Sequence, residues 1–137
     1  MNKTLTSLLL GAAFLAGGGS HVYAHHAFGA EFDADKPITL KGKVTKIRWV
    51  NPHSWIYIDV AGADGAVTNW AVEFGGPYSL LQQGLRRTDF PLGTEVQVDG
   101  FLAKSGDPVV NSSNVTLPDG RDFYTAAEDS PAARAAQ

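Results

Sequence analysis

The chain contains no cysteine in its 137 residues. That excludes disulfides, thiolate chemistry and a lipid-modified cysteine, and leaves stability to packing alone. It also lacks any excess of positive charge, with 11 lysines and arginines against 14 aspartates and glutamates. Nucleic acid and anionic membrane surfaces both call for a basic face, so neither is an expected partner. Long apolar runs are missing too. The one strongly apolar stretch, Leu5 to Ala16, falls short of the ~20 residues needed to cross a bilayer, and Gly17-Gly18-Gly19 interrupts it.

What is present at the amino terminus has the layout of an export signal. Lys3 supplies the positive start, Leu5 to Ala16 the apolar centre, and Val22-Tyr23-Ala24 has small residues at the two positions that signal peptidase inspects. Residues 1–24 are therefore read as a signal peptide, and a periplasmic or secreted product is expected. Cleavage after Ala24 leaves 113 residues, with 10 basic and 14 acidic side chains, and a mature start at His25-His26. No membrane insertion is expected of that product, whose length suits one domain with a modest core.

Residues 25–37 form a lead-in segment without clear periodicity, in which Phe28 and Phe32 are candidates to plug gaps on the body. From Ile38 to Val50 the pattern is extended. Its apolar positions, Ile38, Leu40 and Val44, then Ile47 and Trp49, change parity midway. A bulge near Thr45-Lys46 produces such a change. Asn51-Pro52 breaks the run, and further strands are predicted over Ser54 to Val60 and Val67 to Phe74, joined through Asp64-Gly65. Pro77 opens a short helix through Leu80, Leu81 and Leu85. Strands then follow from Glu95 to Phe101, Val109 to Leu117 and Arg121 to Tyr124, and a loose Ala-rich tail occupies 126–137.

This order predicts an all-β fold with one short helix, a small five-stranded OB-like barrel over residues 38–125. Closure of the barrel removes open strand edges.

Few residues carry candidate chemistry. With the signal removed, the histidines are His25, His26 and His53. A terminal histidine chelates through its α-amine and imidazole together, which suits copper, and zinc accepts imidazole as well. His53 follows Asn51-Pro52 on the loop between the first two strands, which in OB barrels helps to form the binding pole. His25, His26 and His53 are thus candidate ligands for copper or zinc. Glu31, Asp33 and Asp35 read as a solvated surface run.

Aromatic residues form a second constellation. Trp55 and Tyr57 share one face of a strand whose Ile56, Ile58 and Val60 look inward, and Trp70 lies on the neighbouring strand. Exposed aromatics on small barrels stack flat ligands. The candidate ligand-binding set is Asn51, His53, Trp55, Tyr57 and Trp70. No catalytic set stands out: Ser54 and His53 are consecutive, so their side chains diverge, and Asp59 and Glu73 read as solvent-facing carboxylates.

His-His-Ala-Phe after the signal, Lys41-Gly42-Lys43-Val44-Thr45, Asn51-Pro52-His53-Ser54-Trp55, Asn69-Trp70-Ala71 and Leu117-Pro118-Asp119-Gly120-Arg121 together resemble a family of small exported bacterial proteins of unknown function. The resemblance spans roughly His25 to Tyr124 and implies a bacterial, periplasmic protein. It implies no activity. The expectation is a non-catalytic binding or accessory protein that recognises a small ligand or a periplasmic partner protein at the Asn51-Pro52-His53 pole. A copper- or zinc-binding protein is the alternative.

Overall fold

A computed structural model describes residues 28–135. The signal segment and both His25 and His26 lie outside the described residues. A single-turn helix α1 (Phe28–Glu31) leads directly into a long strand β1 (Phe32–Arg48). Strands β2 (Trp55–Ala61) and β3 (Val67–Glu73) follow, then helix α2 (Pro77–Gln82) and a 3-10 turn (Arg87–Asp89). Strands β4 (Glu95–Ala103), β5 (Val109–Thr116) and β6 (Asp122–Tyr124) precede a last helix α3 (Pro131–Ala135). No helix of the described residues is long and apolar enough to cross a membrane.

The strands pair in the order β3-β2-β1-β4-β5-β6, and a parallel pairing of β3 with β5 closes five of them into a ring. The ring β1-β2-β3-β5-β4 is the expected OB-like arrangement, all-β with short helical insertions. Its first strand is long because it serves both β2 and β4. The parity change along β1 has its physical cause at Thr45. Val44 pairs with Ile58 and Lys46 with Tyr57, so Thr45 is the extra residue of a bulge.

Alternation fills the ring. Leu40, Val44, Ile56, Ile58, Val72, Phe74, Val96 and Val98 all point inward and are buried. Leu80 and Leu85 of the α2 region join this core. Pro77 stands at the start of α2, where a missing amide hydrogen is harmless. Gly84, at φ +84°, ends the helix. The Leu85 amide donates to the Leu80 carbonyl and the Gly84 amide to that of Leu81. That double closure turns Leu85 back onto the core.

The two ends of the described chain depart from the expected boundaries. β1 begins at Phe32, not after Pro37, and a register shift between Phe32 and Pro37 lets the proline sit within it. The segment expected as a plain lead-in therefore contains α1 and the start of a strand. The stretch expected as a loose tail also packs: Ala126, Ala127 and Ser130 are buried, and α3 follows. Phe28 stacks against Phe32 and edge-on to Phe101, with ring centroids 5.6 and 5.5 Å apart. The Gly75 amide donates to the Thr125 carbonyl at 2.8 Å. Segments from both termini thus cover the outside of the ring.

Candidate functional site

The site is built on the outer face of the ring, where β2 and β3 end. Trp55 pairs with Glu73, and the ladder continues one step further. The Ser54 amide donates to the Gly75 carbonyl, and the Phe74 amide to the Ser54 carbonyl. Along this backbone the side chains alternate. Ser54 turns inward with Ile56 and Ile58, while His53 turns outward with Trp55 toward Glu73.

His53 and Glu73 meet through Nδ1 and Oε1. Glu73 is only 4% exposed although it stands on the outer face of a strand, where it is bonded to His53 and lies in register between Trp55 and Asn111. The His53 side chain is about a quarter exposed. The hydrogen bond to Glu73 raises the His53 pKa above its ordinary 6.5, burial opposes the rise, and the charges of Glu73, Asp129 and Glu31 support it. The bond also fixes the ring orientation and leaves Nε2 as the free imidazole nitrogen.

A cavity of about 580 Å³ opens beside this pair. Its side-chain walls come from Asn51, His53, Tyr78, Ser79, Glu128 and Asp129, and its floor from the Gly75-Gly76 backbone. Glycine is needed in that floor, since a Cβ at Gly76 would stand 2.8 Å from the Pro52 carbonyl oxygen. One wall residue ties down the amino-terminal segment: Asp129 Oδ2 accepts from the Phe28 amide at 3.0 Å. Next to Glu73 in register on β5 is Asn111, buried, whose Oδ1 has no hydrogen-bond partner among the described residues.

The structure divides the expected ligand-binding residues into three groups. Asn51 and His53 line the cavity. Trp55 and Tyr57 are half-buried on the adjoining outer face, where Lys46 Nζ lies 5.1 Å from the centre of the Tyr57 ring. Trp70 belongs elsewhere. It faces Ile58 across β2–β3 and packs against the core, so it takes no part in the cavity.

The pairing of Asp59 with Glu73 that strand neighbours permit does not form. Asp59 is exposed and accepts from Asn69 Nδ2 at 2.7 Å, while Glu73 is committed to His53. Among the described residues, no group of three or more histidines and carboxylates is placed to hold a metal ion.

Glu128 and Asp129 are site residues that the sequence pattern did not expose, for they sit in a stretch that reads as loose. Tyr78 and Ser79 were hidden in the same way, behind the helical pattern of the leucines on α2. Glu73 carried a weak signal, a carboxylate between Val72 and Phe74 at the end of an otherwise apolar strand terminus.

The chain belongs to a family of unknown function (DUF6152), whose model matches residues 13–111. No curated protein matches it. The family membership agrees with the expected resemblance to an uncharacterised family, and it brings no activity with it.

Proposed function

We propose that this member of the family is an exported, non-catalytic binding or accessory protein whose ligand site is the cavity beside His53 and Glu73. The observation that carries the reading is the burial of Glu73. Withdrawing a carboxylate from water costs several kcal/mol unless it is paired, and an apolar side chain would cover the same spot more cheaply. Here the burial orients an imidazole at the wall of a cavity whose size falls within the usual range of small-molecule sites. Among the described residues His53 is bonded to Glu73 and to no hydroxyl, which supports a binding role. Ser54 Oγ is buried without a hydrogen-bond partner among the described residues, so the neighbouring histidine does not activate it.

The test is a ligand screen on the protein by thermal shift, with compounds of either charge and neutral compounds. Hits should protect the wild-type protein and fail to protect Ser79→Trp, which fills the cavity from the α2 wall. Hits that protect both proteins equally would place binding elsewhere and remove the reading.

One observation favours a copper- or zinc-binding function as a second reading. The described chain begins at Phe28, tied to the cavity wall by Asp129, and His26 precedes it by only two residues. Two residues span at most ~7 Å of extended chain. An imidazole held by a carboxylate at one nitrogen, as His53 is, has the usual outer support of a metal-ligating histidine. In this reading His25 and His26 join His53 on the ion. Intact mass and N-terminal sequencing of the exported protein, then copper titration, test it. A mature start other than His25 removes the chelating amine, and unchanged copper affinity in His53→Ala removes the loop from the site.

A further inference from the structure

We infer that the cavity takes an organic cation, a primary ammonium carried on a short apolar body. The inference rests on the ligand-site reading above and adds the chemical class. It follows from the charges that remain once internal partners are matched. His53 and Glu73 offset one another. Glu128 and Asp129 then stand at the wall, and no lysine or arginine lines the cavity among the described residues. Among the described residues Asp129 accepts a hydrogen bond from the Phe28 amide, a neutral donor that leaves its negative charge in place, and that charge bears on His53 at the same wall. A half-open cleft with two carboxylates of one sign at its wall favours a positive guest.

The remaining walls fit the rest of such a guest. Tyr78 is 74% exposed and stands at the cavity. Its ring offers an ammonium the negative face of a π-system. The Pro52 ring and the Gly75 and Gly76 Cα atoms provide apolar contact for a short hydrocarbon body. Asn51 and Ser79 add neutral hydrogen-bonding groups that orient it. Among the described residues no lysine or arginine would meet an anion there, and His53 is committed to Glu73.

The experiment compares hexylamine, hexanol and hexanoate on the isotopically labelled protein at neutral pH, following the amide resonances of Gly75, Gly76 and Ala127. The amine should bind about tenfold more tightly than the alcohol, a difference of the size expected from like charges facing a partly enclosed cation. Hexanoate should bind weakest. In Glu128→Gln, an exposed position whose change leaves the fold intact, the advantage of the amine should shrink severalfold. Added salt should weaken the amine more than the alcohol. Equal binding of all three at these resonances overturns the ligand class and leaves the cavity reading standing. If none of the three moves these resonances at millimolar concentration, both the ligand class and the site fall.

Discussion

Two buried regions of this protein lie back to back across one sheet and are built on opposite terms. Inside the ring, Ile56, Ile58, Val72 and Phe74 make a dry apolar core. Outside it, Glu73 of β3 and Asn111 beside it on β5 are just as thoroughly covered, and they are polar. The inner region is closed by the sheet curling on itself. The outer one is closed by segments more than ninety residues apart in sequence, joined by the bond from the Phe28 amide to Asp129. The first arrangement buys stability, while the second withdraws a carboxylate and an amide from water and gains orientation. Glu73 is satisfied by His53.

The comparison breaks most sharply in the core. Phe74 is fully buried and packs against Phe90, with ring centroids 5.8 Å apart. Phe74→Ala should lower stability by about 3–5 kcal/mol in denaturant titration, the usual cost of an aromatic deletion that leaves a cavity. A loss below about 1 kcal/mol would mean that the interior collapses to fill the gap and is not the rigid member of the pair.

On the outer side the largest effect is expected at Glu73. Glu73→Gln keeps the shape and removes the charge, so the bond to His53 weakens from a charge-assisted to a neutral one. The loss should be about 1.5–3 kcal/mol near pH 6, less than for Phe74→Ala. It should also depend on pH. The folded protein, whose Glu73 hydrogen bond raises the His53 pKa, holds a proton that the unfolded chain releases around 6.5. The contribution is complete below about 6.5 and disappears as pH rises through the folded value. Chemical denaturation from pH 5.5 to 9 should therefore show wild-type stability falling relative to Glu73→Gln. Parallel curves would remove the charged bond from the account.

The contrast explains how much of the molecule was legible in its sequence. The ring was readable because alternation is local. Ile56 and Ile58 mark an inner face, Asp64-Gly65 marks a turn, and the parity change after Val44 marks a bulge. Half the site was readable too, since Asn51-Pro52-His53 is a turn with one unusual side chain. The remainder was not, because alternation assigns Glu73 to solvent and says nothing of its bond to His53. Glu128 and Asp129 become wall residues only after the chain has returned from the far end of the fold. Trp70 misled for a related reason. Its size suggested a ligand platform, but its parity with Val72 and Phe74 sends it inward.

The smallest expected effect tests the outer closure itself. Asp129→Ala removes the acceptor of the Phe28 amide, while the Phe28–Phe32–Phe101 contacts and the bond from the Lys104 amide to the Glu31 carbonyl remain. Global stability should change by no more than about 1 kcal/mol, the net worth of one hydrogen bond with a buried neighbourhood intact. The change should be local instead. Hydrogen exchange at the Phe28 amide should quicken about fivefold, with exchange in β2 and β3 unaltered. Asp129→Asn retains an acceptor oxygen and should restore most of the protection. Unchanged exchange in Asp129→Ala would mean that aromatic packing alone holds the amino-terminal segment. The outer region would then owe its closure to the same apolar forces as the core.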